Sequence, residues 1–287
     1  MKVLITGAKG LVGTAMRDHC IASGDDVFAY GRSELDISDA ESVDRIVDEV
    51  RPDALINCAA WTDVDGCESD PERAQRVNAI GPENLALAAR NIGATLVTIS
   101  TDYVFDGTKE GFYTQDDVPS PQSVYGRAKL EGEQRVLAEY PSATIVRTGF
   151  IFGMKGKNFL SRVVELSQQG KRFAAISDAK GTPTYGRDLA GRLRELAERK
   201  LSGIFHVVNA GDGATYEEFA RTALRLVGLD DSNLDVVPMA SLNRPAPRPI
   251  NSRLRCLLSE RCGLQPLPNW QNGLQRFVEE CLQNRER

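Results

Sequence analysis

Lys2-Val3-Leu4-Ile5-Thr6-Gly7-Ala8-Lys9-Gly10-Leu11-Val12-Gly13 opens the chain with a short apolar run, three evenly spaced glycines and the start of a helical pattern. The run reads as a buried strand that ends at Gly7. The glycine spacing is Gly-x-x-Gly-x-x-Gly rather than Gly-x-Gly-x-x-Gly. Without side chains these positions permit a tight turn and the close approach of a pyrophosphate. The helix that follows offers free N–H groups and the positive end of its dipole. A strand, a glycine turn and a helix in this order mark a dinucleotide cradle. Its cofactor-facing residues are Gly7, Gly10, Leu11, Val12 and Gly13.

Outward from this turn, strand and helix alternate. Residues 11–23 have helical spacing and stop near Gly24, and 27–30 read as a second strand. Residues 39–50 are amphipathic, with Val43, Ile46, Val47 and Val50 on one face. Residues 54–57 form a third strand. One long helix is expected from Pro71 to Asn91, then a strand at 95–100, a helix at 125–139 and a strand at 144–147. This rhythm predicts an α/β fold: a Rossmann-type doubly wound parallel sheet. That domain covers residues 1–150, with 185–209 returning to it. A smaller C-terminal substrate-binding lobe is expected from 151–184 and 210–287, with helices at 159–169 and 216–227 and a last one from Trp270, while a helix at 188–200 and a strand at 204–208 extend the sheet domain. Residues 244–249, Arg-Pro-Ala-Pro-Arg-Pro, carry three prolines and form a loop.

The end of the second strand selects the cofactor. An acid there bonds the ribose 2′-hydroxyl, and a base favours a 2′-phosphate. Here the chain runs Ala29-Tyr30-Gly31-Arg32-Ser33. Arg32 and Ser33 suit a phosphate, which predicts a preference for NADPH that still leaves NADH usable. Asp36 and Ile37 are expected near the adenine.

Mid-chain, Ser100-Thr101-Asp102-Tyr103-Val104-Phe105-Asp106-Gly107 is followed by Tyr125-Gly126-Arg127-Ala128-Lys129. Tyr125 and Lys129 are four apart on a predicted helix and share a face. A phenol titrates near pH ~10, and a nearby ammonium, with the positive nicotinamide, is expected to lower that value. Tyr125 then serves as the proton donor to a carbonyl oxygen receiving a hydride at its carbon. Lys129 also holds the nicotinamide ribose, and Thr101 hydrogen-bonds the same oxygen.

Composition excludes other classes. The chain has 287 residues, 41% hydrophobic and 26% charged, and a formal net charge of −5. That balance gives no reason to expect nucleic acid or an anionic membrane. The six cysteines form no Cys-x-x-Cys pair and read as reduced, packed thiols. No apolar run approaches spanning length, and a cytoplasmic location is expected. His19 and His206 lie in no zinc-spacing motif. Asp65 and Glu68 read as solvated or interface carboxylates, and no metal is predicted.

With these residues in hand, the chain resembles the dTDP-4-dehydrorhamnose reductase family of extended short-chain dehydrogenases/reductases. The resemblance rests on the glycine turn, Leu35-Asp36-Ile37, the segment from Cys58 to Asp65, Ser100 to Gly107, Tyr125 to Lys129, Arg147-Thr148-Gly149, Gly181-Thr182-Pro183-Thr184, Arg248-Pro249 with Asn251-Ser252, and Trp270. It implies that Thr101, Tyr125 and Lys129 act on the C4 ketone of a nucleotide-linked 6-deoxyhexose, most simply dTDP-4-dehydro-L-rhamnose. It also implies Ala59, Ala60 and Thr62 as cofactor-lining, and Trp61, Thr101, Asp102, Phe150, Asn158 and Arg248 as substrate-binding, the last two toward the phosphates. The family's usual tryptophan after Arg-Thr-Ser is Phe150 after Gly149 here. Thr14-Ala15 stand where some relatives carry a metal-binding glutamate, and Arg255 replaces an acid or asparagine after the late Ser-x-Leu. Dehydratases of this fold carry Asp-Glu after the threonine, whereas Thr101 precedes Asp102-Tyr103. A sugar-nucleotide epimerase, or an NADP-binding regulatory subunit of the methionine adenosyltransferase type, fits the same motifs. A homodimer is the expected assembly.

Overall fold

The computed structural model describes residues 1–283. Its first five strands are β1 (Lys2–Thr6), β2 (Asp26–Tyr30), β3 (Ala54–Asn57), β4 (Thr95–Thr101) and β5 (Thr144–Thr148). A later strand, Gly203–His206, pairs in parallel with β5. The main sheet runs from that strand through β5, β4, β3 and β1 to β2, all parallel. Parallel neighbours need crossovers, and helices supply them. These are α1 (Leu11–Ala22), α2 (Ala40–Val50), α3 (Val64–Ser69), α4 (Pro71–Gln75), α5 (Gly81–Ile92) and α6 (Val124–Glu139). The later helices are α7 (Phe159–Gln168), α8 (Gly186–Glu198), α9 (Tyr216–Leu226), α10 (Leu257–Arg261) and α11 (Trp270–Gln283).

Alternation along the strands builds a core on each face. Leu4, Leu55, Leu96 and Ile145 point to one side, against Val43 and Val47 of α2, Leu85 and Ala89 of α5 and Val136 of α6. Val3, Ile5, Ile56, Val97 and Val146 point to the other, against Met16 and Cys20 of α1, Leu189 and Leu193 of α8, and Phe205. Both faces are therefore apolar and helix-covered, which makes the sheet doubly wound. The chain leaves β1 for β2 on one side and returns to β3 on the other. The crevice between the C-terminal ends of β1 and β3 is thus the topological switch point, where such folds bind ligands.

The expected helix from Pro71 to Asn91 is interrupted. Between α4 and α5 lies a π-helical turn, Arg76–Ile80. The wider turn brings Asn78 into the interior. There its Oδ1 accepts the Trp61 N–H at 2.9 Å and its Nδ2 donates to the Trp61 carbonyl at 3.0 Å. The turn thereby fixes the loop after β3.

Beyond β5 a second core forms around Phe152, Tyr185, Phe219, Trp270 and Phe277. It joins α7, α9 and α11 to a parallel pair, Phe173–Ile176 with Leu234–Val237. That pair and α3 were not expected from the sequence pattern. This lobe presents α7, Tyr216 and the proline loop to the crevice.

Candidate active site

The glycine turn is built for close approach. Gly7 has φ +65°, a left-handed conformation that favours glycine, and a β-carbon there would lie 2.6 Å from the Ala59 nitrogen. Gly10 is the N-cap of α1 and offers no side-chain cap, so the first N–H groups of α1 face the crevice without an internal acceptor. Gly13 has a different part from the one expected. It lines neither arm of the groove and instead lets α1 pack onto the Gly7 carbonyl, which a β-carbon would strike.

A groove runs from this turn in two arms that share Gly10, Cys58, Ala59 and Ala60. The first arm, about 240 Å³, lies over the end of β2 and is lined by Lys9, Arg32, Asp36, Ile37, Trp61 and Arg73 among others. Ser33 lines neither arm. Trp61 belongs to this first arm and not to the chamber where a substrate contact was expected. The Arg73 guanidinium stacks on its ring at 4.1 Å, and Asn78 holds its backbone. Sequence reasoning missed Lys9, Glu34 and Arg73. Lys9 sits 3.3 Å from Glu34, and Arg32 sits 3.6 Å from Asp36. The Glu34 carboxylate also accepts the Gly31 N–H at 2.6 Å, which holds it below the usual carboxylate range. An acid therefore stands just past β2 after all, paired with a lysine from the glycine turn.

The second arm is a chamber of about 520 Å³ between sheet and lobe. Leu11, Val12, Thr62, Thr101, Asp102, Tyr125, Lys129, Phe150, Asn158 and Arg248 all line it. Thr101 ends β4. Tyr125 and Lys129 stand one turn apart on α6, whose start is doubly held: Ser123 Oγ accepts the Gly126 N–H at 3.1 Å and Glu68 accepts the Val124 N–H at 2.8 Å. The Thr101 hydroxyl donates to Asp102 Oδ1 at 3.1 Å and lies beside the Tyr125 phenol, where its influence favours phenolate. Burial outweighs this, and Tyr125 is raised well above an ordinary phenol. The expectation of a lowered value does not hold for the protein alone. Lys129 Nζ donates to the Ile99 carbonyl at 2.7 Å, and burial brings its ammonium down to about 8, with Glu133 opposing. At neutral pH the site thus presents a protonated phenol beside a cation.

Below these groups lies a buried pair missed in the sequence. Glu133 is one turn beyond Lys129 on α6. It accepts from Ser100 Oγ at 2.5 Å and from Arg147 Nη2 at 2.6 Å, with both ion-pair side chains 4% exposed. This ties the catalytic helix to β4 and β5. A carboxylate four residues after the lysine was the available signal.

Around the chamber, Asp102 is buried with Oδ2 unpartnered, and burial pushes its carboxyl up to about 6. Phe150 has φ +48°, unusual for an aromatic residue, and its ring lies 4.6 Å from that of Tyr216. Asn158 caps α7, accepting the Ser161 N–H at 2.9 Å and donating to the Ile151 carbonyl at 2.9 Å. Arg248 is held by Asp65 through contacts of 2.9 and 2.7 Å. His206 lies away from the chamber, with Nδ1 against the carbonyls of Tyr113 and Arg255. Among the described residues, no group of His, Cys, Asp and Glu is disposed to hold a metal, and no helix is long and apolar enough to cross a membrane.

The chain matches the family model of the RmlD substrate binding domain over residues 1–283. It is 40% identical over 280 residues to a dTDP-4-dehydrorhamnose reductase of Mycolicibacterium smegmatis, covering 96% of this chain and 85% of that protein. It is 38% identical to a dTDP-4-keto-6-deoxy-D-glucose reductase of Streptomyces niveus, with 94% of each covered. The crystal structure of dTDP-4-dehydrorhamnose reductase from Bacillus anthracis in complex with NADP superposes with a TM-score of 0.93 at 34% identity, covering 98% of this chain and all of that one.

Proposed function

This chain belongs to the RmlD substrate binding domain family and is an oxidoreductase of the dTDP-4-dehydrorhamnose reductase kind; from that premise we propose that it reduces the C4 ketone of dTDP-4-dehydro-L-rhamnose with NADPH. The observation that carries this reading is the meeting of Thr101, Tyr125 and Lys129 in one chamber that opens onto the glycine turn. The turn fits a dinucleotide because Gly7 and Gly10 line the groove without side chains, and because the N-terminus of α1 has no side-chain cap. Lys9, Arg32 and Arg73 line the arm that takes the adenosine end.

Bound along the groove, NADPH supplies a hydride to the ketone carbon. The chain's own residues manage the oxygen. Tyr125, protonated at neutral pH, gives its proton to the oxygen as negative charge grows there. The Thr101 hydroxyl, beside that phenol, steadies the oxygen and the phenolate left behind. Lys129 stabilises the same phenolate and holds the nicotinamide ribose hydroxyls. Its own bond to the Ile99 carbonyl keeps it in register with β4. Phe150 and Tyr216 form the apolar wall against the deoxysugar, and Arg248 takes the diphosphate.

The relative from Streptomyces niveus carries a name with a different 6-deoxyhexose, so the assay includes both ketones. Loss of nicotinamide absorbance with dTDP-4-dehydrorhamnose, and dTDP-L-rhamnose as product, support the proposal. Tight NADPH binding without turnover of either ketone contradicts it and favours a regulatory subunit.

A further inference from the structure

Helix α3 touches two parts of the site at once. Its carboxylates at 65 and 68 are three apart, so they project from one side of a single turn. Asp65 Oδ1 accepts from Arg248 Nη1 at 2.9 Å and from the Ala246 N–H at 3.0 Å, while Oδ2 accepts from Arg248 Nη2 at 2.7 Å. Glu68 accepts the N–H of Val124, the first residue of the helix that carries Tyr125, at 2.8 Å. The cap of α3 is Asp63, whose Oδ1 takes the Gly66 N–H at 3.0 Å.

The loop that Asp65 grips is short of its own anchors. Proline at 245, 247 and 249 removes every second backbone donor. Asp65 takes the N–H that Ala246 retains, so it fixes the loop's backbone as well as its arginine. A guanidinium has five N–H donors, of which three are engaged by Asp65 and the Ala246 carbonyl. Nε–H and one Nη2–H remain for an anion in the chamber. The Arg248 side chain is only 12% exposed. Without its partner it would be a largely buried, unpaired cation on a loose loop. Bidentate pairing fixes the plane of the guanidinium as well as its position.

We propose that Asp65 and Glu68 are positioning residues that make α3 a bracket, setting Arg248 for the diphosphate of a nucleotide sugar and Tyr125 for its ketone at a fixed spacing. Neither carboxylate touches a reacting atom. Asp65 governs how tightly the nucleotide is held, and Glu68 governs the catalytic helix. This rests on the reading of the chamber as a nucleotide-sugar site.

The test uses the full chain and dTDP as the binding probe, titrated by calorimetry, with turnover measured separately. Asp65→Asn is expected to weaken dTDP binding and raise KM for the sugar nucleotide by about tenfold, the loss of one charge-assisted pair. NADPH affinity and kcat should stay within about threefold by the same conversion. Asp65→Glu, which keeps the carboxylate, should recover most of the binding. Glu68→Ala should lower kcat about tenfold and leave dTDP affinity nearly unchanged. If Asp65→Asn binds dTDP as the wild type does, or if NADPH and dTDP affinities fall together, the bracket is wrong. If Asp65→Asn does not fold, equal dTDP affinity in Asp65→Glu and Arg248→Lys decides against it. If the wild type neither binds dTDP nor turns over the ketone, the nucleotide-sugar reading fails, and the bracket with it.

Discussion

Gly149 lies directly against the carboxylate of Asp102: a β-carbon at 149 would fall inside the contact distance of all the carboxylate's atoms, 2.6 Å from Oδ1. The two residues directly follow the neighbouring strands β4 and β5 at the chamber floor, beside Thr101. Asp102 keeps its place only because position 149 has no side chain. Gly149→Ala should therefore push Asp102 toward Thr101 and cost about 1–3 kcal/mol of stability. Thermal unfolding and kcat together check this. Activity should fall by at least about tenfold, and an unchanged rate would show that the chamber floor yields without consequence.

Asp102 itself carries a stability cost at neutral pH. Its carboxyl is raised from 3.8 to about 6 because burial penalises the charge. A raised carboxyl binds protons more tightly in the folded state. Its contribution is best below the unfolded value and is lost as pH climbs through about 6, on the order of 3 kcal/mol in all. Asp102→Asn should raise the melting temperature more at about pH 7 than at about pH 4, while lowering turnover. Equal stabilisation at both pH values would contradict this account.

Lys129 sets an alkaline limit. Burial lowers its ammonium to about 8, so the cation is present below that pH and lost above it. The rate of ketone reduction should fall as pH rises through about 8, measured on kcat/KM with NADPH saturating. Lys129→Arg keeps its charge to far higher pH. That variant should be slower overall, because its fork does not fit the Ile99 carbonyl, but its alkaline limb should disappear. A limb that persists unchanged would assign it to another group.

Cofactor choice should depend on two cations rather than one. Lys9 and Arg32 face the first arm, each beside an acid. Arg32→Ala and Lys9→Ala should each raise KM for NADPH about tenfold and leave KM for NADH within about twofold, since only the 2′-phosphate needs them. Glu34→Gln, which frees Lys9, should shift preference further toward NADPH. Parallel losses for both cofactors would remove the 2′-phosphate from this arm.

Much of this molecule was legible because the signals were local. Buried runs such as Val3–Ile5, the glycine spacing from 7 to 13, and the turn between Tyr125 and Lys129 each declare themselves within a few residues. They were enough for the doubly wound sheet and for the three groups now found in one chamber. What the sequence hid depends on partners far apart. Glu133 with Arg147, Lys9 with Glu34, and Asp65 with Arg248 meet only once the sheet has closed. The π turn at Arg76–Ile80 is set by the hydrogen bonds of Asn78 to Trp61, and helical periodicity alone ran straight through it. The same bonds hold Trp61 in the first arm. The direction of the Tyr125 shift was misjudged for a related reason. Charge proximity can be read from spacing, but desolvation belongs to the packed interior.

The most direct test follows one deuterium. With NADPH deuterated at the transferred position, the wild type should place deuterium at C4 of the product sugar, and Tyr125→Phe should do so at least about a hundredfold more slowly while binding NADPH as before. Deuterium found elsewhere, or transfer by Tyr125→Phe at the wild-type rate, would contradict the assignment of Tyr125 as the proton donor to that ketone.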